Sequence, residues 1–401
     1  MAIFKPNVKG VTDLLKQIFA DGAYADKAIA TALKEHKKWG ARDRSFIAET
    51  TYEMVRWWRL ISEALDEEKD TSEAHYYRLF AAWQIINDHK LPEWEEFNNI
   101  DKSKIKANAE RLRNIRKVRE SVPDWMDEMG CAELGEEVWT KELAELNIPA
   151  KLVLRANTLK TSVLKLQKQL VQSGVESSTI PRFPDGLIAT KKKNLYQTDE
   201  YNLGLFEIQD GSSQLVAPFL QAEEGMTVID ACAGAGGKSL HIATLMNNKG
   251  RVISMDVEEK KLIELNKRAK RNGISTIETK LITADALSKF ENTADRLLLD
   301  VPCSGMGVLR RKPFDKWKLT PETIADRRKE QQQILTRYSK MVKPGGLLVY
   351  ATCSILPSEN QNQIFEFLQK TSSDFEFLID RKVLPSEGFD GFYMAKLQRK
   401  E

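Results

Sequence analysis

Two cysteines stand in company that suits chemistry. Cys303 follows Asp300-Val301-Pro302 and precedes Ser304-Gly305-Met306-Gly307, and Cys353 lies within Tyr350-Ala351-Thr352-Cys353-Ser354. Each follows an apolar run of strand type, Arg296–Asp300 and Leu347–Thr352. In a doubly wound sheet those two strands are neighbours on the ligand side, so both thiols would emerge at one mouth. A lone cysteine is ordinarily a small buried hydrophobe, but that does not account for two in such matched settings. The chemistry that needs a thiol is methylation of a pyrimidine at C5. That carbon is a poor nucleophile; a thiolate adding at C6 turns the ring into an enamine whose C5 can attack a methyl sulfonium. H5 must then leave and the thiol must be expelled, which is covalent catalysis. A positive neighbour would raise the thiolate fraction. Methylation of an exocyclic amine needs no thiol and typically goes with a proline-aromatic loop, where this chain has Pro302-Cys303.

The methyl donor needs its own site. A strand at Thr227–Asp230 runs into Ala231-Cys232-Ala233-Gly234-Ala235-Gly236-Gly237-Lys238-Ser239, glycines that let the backbone turn tightly and approach a ligand. A phosphate-binding P-loop would need glycine at position 232, and a dinucleotide fingerprint would need it at 239; these are Cys232 and Ser239. An S-adenosylmethionine (AdoMet) loop remains, an acid followed by small residues. Asp256, ending the strand Arg251–Asp256, is placed to accept a ribose diol. Asp285, read as the end of a strand Leu281–Asp285, is placed to face an adenine amine. Three acids at three consecutive strand ends beside a glycine loop are poorly explained as turn residues.

These residues demand an α/β scaffold. From about residue 205 strand and helix patterns alternate, with helices at Lys238–Met246, Glu258–Asn272 and Pro321–Val342, which predicts a Rossmann-like parallel sheet over 205–401. The segments Phe375–Ile379 and Gly391–Leu397 would close it as a hairpin. Residues 146–204 read as a small α+β domain: a strand at 152–157, a helix Ser162–Ser173 stopped by Gly174, and short strands at 178–180 and 187–189 after the turn signal Pro184-Asp185-Gly186. Its positive charge lies at Arg155, Lys160, Lys165, Lys168 and Lys191-Lys192-Lys193. Residues 1–145 read as all-α: Leu14, Leu15, Ile18 and Phe19 share one helix face, Ile47, Met54, Trp58, Ile61 and Leu65 another, and a third helix covers 76–87.

The chain has 401 residues, enough for two or three domains, with 42% hydrophobic and 30% charged residues, which excludes disordered and fibrous classes. No run reaches the roughly 18 apolar residues of a membrane span, and the first residues lack the apolar stretch of a secretory signal; a cytoplasmic monomer is expected. The net charge of +3 does not announce nucleic acid. Its distribution says more: a basic stretch at 102–119 precedes an acidic one at 124–145, either a phosphate-tracking stripe or two solvated helix faces that attract each other. Four cysteines and four histidines offer no metal-ligand spacing, so no metal is expected.

At these motifs the chain resembles the RsmB/Sun-type RNA cytosine-C5 methyltransferases over about residues 150–400. The resemblance rests on Gln209-Asp210-Gly211-Ser212-Ser213-Gln214, the Asp230–Ser239 loop, Asp300-Val301-Pro302-Cys303-Ser304-Gly305, Lys343-Pro344-Gly345-Gly346, Thr352-Cys353-Ser354 and Asp390-Gly391-Phe392-Tyr393. It implies that Cys353 is the nucleophile, that Cys303 assists release of methylated RNA, that Asp300 contacts the cytosine, and that Lys238 orients Asp300. The cofactor set it implies is Cys232, Ala233, Gly234, Ala235, Gly236, Gly237 and Lys238, with Asp256, Lys261, Asp285 and Asp300. The family loop is commonly Ala-Pro-Gly-Gly-Lys where this chain has Gly234-Ala235-Gly236-Gly237-Lys238, and the family often has arginine at the position of Lys261, which lacks the bidentate fork. Ala41-Arg42-Asp43-Arg44-Ser45-Phe46-Ile47 with Tyr52 and Val55-Arg56 resembles a NusB-like RNA-binding domain, pointing to the small-subunit rRNA methyltransferase B branch. Arg310, Arg311 and Lys312 are the expected phosphate grip on RNA. The target base would have to flip out of its stack. Competing expectations are a tRNA cytosine-C5 methyltransferase and a non-catalytic RNA-binding ribosome assembly factor.

Overall fold

In residues 5–19, apolar side chains recur at three- and four-residue spacing, and the resulting helix Lys5–Phe19 buries Val8, Val11, Leu14, Leu15 and Ile18 on one face. The computed structural model describes residues 3–68, 70–190, 194–371 and 374–401. Lys191-Lys192-Lys193, expected to carry positive charge, lie outside the described residues. The chain divides into two units, Met1–Asn147 with Arg311–Leu319, and Ile148–Arg310 with Thr320–Glu401. Among the described residues no helix is long and apolar enough to cross a membrane.

The first unit is helical. The stripe from Ile47 to Leu65 is not one helix: Ala41–Arg56 ends at Trp57, whose backbone leaves helical geometry, and Trp58–Leu65 starts afresh. The basic and acidic stretches meet each other. Arg116 holds Asp127 at 2.9 Å and Glu136 at 3.1 Å, and Lys117 holds Asp124 at 3.1 Å. Mutual attraction of helix faces thus accounts for part of that pattern. Residues 311–319, distant in sequence, pack into this unit through Lys316, which is fully buried.

The second unit carries two sheets. The smaller consists of β1 (Leu152–Ala156), β2 (Ser177–Ile180), β3 (Phe183–Ala189) and β4 (Phe206–Ile208), all antiparallel in the order β2-β3-β1-β4. The helix Val163–Gln172 is capped by Ser162 and covers this sheet with Leu166 and Leu170. Pro184-Asp185-Gly186 is not a turn between strands. It lies within β3, at the register shift where Ile180 pairs with Phe183 but Thr179 with Leu187, so the turn chemistry makes a bulge. β4, three residues long, gave no recognisable pattern.

The larger sheet has the order β10-β11-β9-β8-β5-β6-β7, from β5 (Thr227–Asp230), β6 (Arg251–Asp256), β7 (Ile277–Leu281), β8 (Ala294–Asp300), β9 (Val342–Thr352), β10 (Phe375–Val383) and β11 (Phe392–Arg399). β7-β6-β5-β8-β9 run parallel, and β11 and β10 add an antiparallel hairpin. Ile229, Ile253, Leu297, Leu299, Leu348 and Tyr350 are fully buried, as strands covered on both faces must be. The third parallel strand ends at Leu281, not Asp285. Thr283 caps the next helix, Ala284–Lys289, accepting from the Ala286 amide at 3.1 Å, and Asp285 falls in that helix's first turn. The threonine cap stopped the strand earlier than its apolar run suggested.

Candidate active site

Strand pairing fixes where the chemistry sits. β8 and β9 run parallel with Asp300 opposite Ala351, so the loops that follow leave from the same sheet edge. They are tied together: the Val301 amide donates to Ala351 O at 3.0 Å, and the Gly307 amide to Cys353 O at 2.9 Å. Gly307 allows this approach, because a Cβ there would meet Gly391 O at 2.4 Å and Cys353 O at 2.8 Å. Cys303 and Cys353, fifty residues apart, are brought sulfur to sulfur at 3.2 Å, both as free, partly buried thiols.

The glycine loop delivers a cation to the same place. Gly236, at φ +88°, turns the chain into the helix Gly237–Leu245; a Cβ there would strike Leu265 Cγ at 2.4 Å. Lys238 in that helix's first turn reaches Asp300 Oδ2 at 2.6 Å with 12% of its side chain exposed. Burial alone would depress the Lys238 pKa, but Asp300 beside it outweighs burial and raises it, so the ammonium stays charged. Its hydrogen bond with Cys353, burial, and the charges of Cys353 and Glu359 push the Cys303 thiol up.

Behind them lies Asp230, 1% exposed, which accepts from Ser239 Oγ at 2.6 Å. Burial foremost, with Asp300 adding to it against the Ser239 bond, pushes its pKa up to about 7.

A cavity of about 470 Å³ opens beside this cluster. Of the expected cofactor residues, Cys232, Gly234, Asp256, Lys261 and Asp300 line it. Asp256 accepts the Gly234 amide at 2.8 Å through one oxygen and the Glu258 amide at 2.9 Å through the other. A carboxylate has about four acceptor sites, so two remain for a diol. Lys261 faces the cavity and pairs with Glu258 at 2.6 Å. Burial, with Asp230, Asp300 and Asp256 nearby, raises Cys232 well above an ordinary thiol, which makes it an inert wall.

Other expected residues stand elsewhere. Ala233, Ala235, Gly236, Gly237 and Lys238 shape the loop behind the cavity wall rather than lining it. Arg268 holds Ala235 O at 2.6 Å, and the buried Arg155 of β1 holds Gly237 O at 2.9 Å. Asp285 is exposed and absent from the cavity wall, where Ile282 stands instead. Arg310 is 4% exposed and donates to Pro385 O at 2.9 Å; a guanidinium so buried braces the loop and does not present itself to a phosphate. Arg311 is half-buried and Lys312 exposed.

Two groups of residues were not anticipated. The helix Pro321–Tyr338 walls the cavity with Arg327, Glu330, Ile334 and Tyr338. Their three- and four-residue spacing was visible, but nothing in it says what that face meets. Glu359 and Asn360, just after Thr352-Cys353-Ser354, hydrogen-bond to the two cysteine loops. They lie within the polar run Ser358-Glu359-Asn360-Gln361-Asn362-Gln363, which gave no sign that these two differ from their neighbours.

The arrangement can carry nucleophilic chemistry: two adjacent thiols, a lysine–aspartate pair, and a ribose-type carboxylate at the rim of a cavity. Comparison with known proteins identifies the family. Residues 217–398 match the family model described as 16S rRNA methyltransferase RsmB/F, and residues 122–195 match an RsmF/B-like ferredoxin-like domain. A Synechocystis protein named a probable ribosomal RNA small subunit methyltransferase B is 30% identical over 96% of this chain and 98% of its own length. A Bacillus subtilis protein of the same name is 36% identical over 70% of this chain and 67% of its own. Among solved structures, a methyltransferase homologue from Pyrococcus horikoshii superposes with a TM-score of 0.63 at 27% identity over 71% of this chain and 98% of its own. The crystal structure of PH0851 shares the fold over the whole of both chains, with a TM-score of 0.82 at 22% identity. On the strength of these matches, the chain belongs to the RsmB/Sun-type family of RNA methyltransferases.

Proposed function

We propose that this protein methylates C5 of a cytosine in RNA, that the RNA is that of the small ribosomal subunit, and that AdoMet is the methyl donor. The observation that carries the reading is the 3.2 Å approach of Cys303 and Cys353 beside the Lys238–Asp300 pair. A methyl transfer to nitrogen or to a ribose oxygen has no use for two thiols at one mouth. The rRNA assignment follows the names of the Synechocystis and Bacillus subtilis relatives.

When bound in the cavity, AdoMet supplies an electrophilic methyl on a sulfonium. Asp256 takes the ribose diol, and Gly234, around whose Cβ position no atom lies within 4 Å, leaves room for the ligand beside the backbone. Cys353, as thiolate, forms a bond to C6 of the flipped cytosine, and the ring becomes an enamine with electron density at C5. Lys238 holds Asp300 in place, and Asp300 contacts the ring and helps settle the proton on it. After C5 has taken the methyl, H5 leaves as a proton to a base. The electron pair of that C–H bond restores the C5–C6 double bond as the C6–S bond breaks, and Cys353 returns as thiolate. Cys303 assists this release. Single-stranded or loop RNA keeps the cost of extruding the base low.

The test separates the thiols. Cys353→Ala should abolish methylation and form no adduct, while Cys303→Ala should accumulate a denaturation-resistant protein–RNA adduct that requires Cys353. Normal turnover by Cys303→Ala would overturn the division of labour. Bisulfite sequencing of total RNA with and without the gene reads out which RNA is modified; a lost signal confined to tRNA would refute the rRNA assignment.

A further inference from the structure

Each cysteine loop is held by a different member of one adjacent residue pair. Glu359 ends the short 3₁₀ turn Pro357–Glu359 and Asn360 follows it, and both are fully buried. Glu359 accepts the Ser304 amide at 2.8 Å and also the Ser304 hydroxyl, directly after Cys303. Gln331, on the helix Pro321–Tyr338, donates to Glu359 at 3.1 Å and to Pro302 O at 3.0 Å, directly before Cys303. Asn360 serves the other thiol. Its amide nitrogen donates to Ser354 O at 3.0 Å, and its oxygen accepts from Thr352 Oγ1 at 2.5 Å, so it brackets Cys353. Tyr350 anchors the pair from β9 by donating to Glu359 O at 2.7 Å.

We propose that Glu359 and Asn360 are positioning residues for the reaction, Glu359 setting the Cys303 loop and Asn360 the Cys353 loop. The assignment rests on the two-thiol reading above. The distribution of charge points the same way. A buried carboxylate lies near Cys303 and an ammonium near Cys353, and the carboxylate disfavours negative charge on Cys303. Cys303 is pushed up first by its hydrogen bond with Cys353, then by burial, with Glu359 adding to both. The pair thus distinguishes two chemically identical side chains that touch each other.

The first readout needs no RNA: the full-length protein is alkylated with iodoacetamide, and labelling at each cysteine is quantified by mass spectrometry. Glu359→Gln should raise Cys303 labelling several-fold relative to Cys353, because the amide keeps the shape and drops the charge. Asn360→Ala should leave that ratio near the parent's. The second readout uses a small-subunit rRNA transcript and its 5-fluorocytidine version, which blocks loss of the C5 substituent. Asn360→Ala should slow adduct formation on the fluorinated transcript by about tenfold or more, the scale of a misplaced nucleophile. Glu359→Gln should form that adduct at nearly the parental rate yet accumulate adduct on the ordinary transcript. Where either variant unfolds, Ser304→Ala and Thr352→Val each remove one bond to the pair and should reproduce the two adduct phenotypes in weaker form. An unchanged labelling ratio in Glu359→Gln, or equal slowing of both adduct steps by both variants, overturns the assignment. A parent that forms no adduct overturns the two-thiol reaction instead, and the labelling ratio then still judges whether Glu359 governs Cys303.

Discussion

Lys238 and Lys316 both sink an ammonium group into the protein, and their partners differ in kind. Lys238 meets the carboxylate of Asp300 at 2.6 Å, and Asp300 itself lines the cavity. Among the described residues Lys316 donates to neutral acceptors, the carbonyls of Arg56, Glu120 and Ser121 at 3.1–3.2 Å and Asn147 Oδ1 at 2.6 Å. Burial lowers Lys316 to about 7, whereas Asp300 keeps Lys238 above its ordinary value despite burial. A cation bound to a carboxylate that faces a cavity can steer charge onto a ligand. A cation bound to four oxygens of its own unit gathers the ends of helices and a distant segment into one core, alongside Trp317, which donates to Val55 O at 2.8 Å. Exposure alone does not separate the two; the chemistry of the acceptors does.

The contrast breaks first at Lys238. Lys238→Met should cut methyl transfer by on the order of 10²–10⁴-fold, the range for a group that sets a proton-handling carboxylate, while AdoMet affinity by calorimetry stays within a few-fold. A loss explained wholly by unfolding would make Lys238 structural, like its counterpart. Lys316→Met should do the reverse. Urea denaturation should show a loss of about 2–4 kcal/mol as four buried oxygens lose their donor, with AdoMet affinity unchanged.

Asp230 sharpens the same contrast with the opposite charge. Its folded value near 7 lies above the ordinary carboxyl value of 3.8, so the folded state binds more protons between those limits and Asp230's contribution to stability falls as pH rises. Below the lower limit both states carry the proton; above 7 the fold must bury a charge. The stability gain of Asp230→Asn over the parent should therefore grow from pH 4 to 7 and level off above, reaching on the order of 1–3 kcal/mol by thermal or urea unfolding. A difference that shrinks over that window would refute the buried, proton-holding state. The smallest effect is expected at the surface. Lys312→Ala should lower the salt slope of RNA binding by about one unit if that lysine meets a phosphate, while Arg310→Ala should cost stability and leave the slope unchanged.

Much of this site was legible because it sits where regular elements end. Asp256, Asp300, Cys303 and Cys353 follow apolar strands whose β-branched and aliphatic runs are self-evident, and parallel strands of an α/β sheet must release their loops at one edge. Asp285 misled because Leu281-Ile282-Thr283 continues the apolar pattern, while Thr283 can equally cap a helix; the cap prevailed. Arg310 misled because a run of cations reads as surface, and only packing shows that one of them turns inward to Pro385 O. Glu359 and Asn360 were unreadable because their partners are backbone and hydroxyl groups chosen by the path of two loops, which leave no spacing signature.

The sequence by itself determined the chemical inventory and the edge at which it gathers: two thiols, a lysine, the acids and a glycine turn, each at the end of a strand or the start of a helix. Periodicity encodes local structure, and local structure dictates where side chains emerge. Only the tertiary structure decided which of those groups touch. It set the 3.2 Å between the sulfurs, gave Lys238 to Asp300, and assigned one buried polar residue to each cysteine loop. Those choices depend on close packing between segments far apart in the chain, where a shift of one ångström exchanges one partner for another.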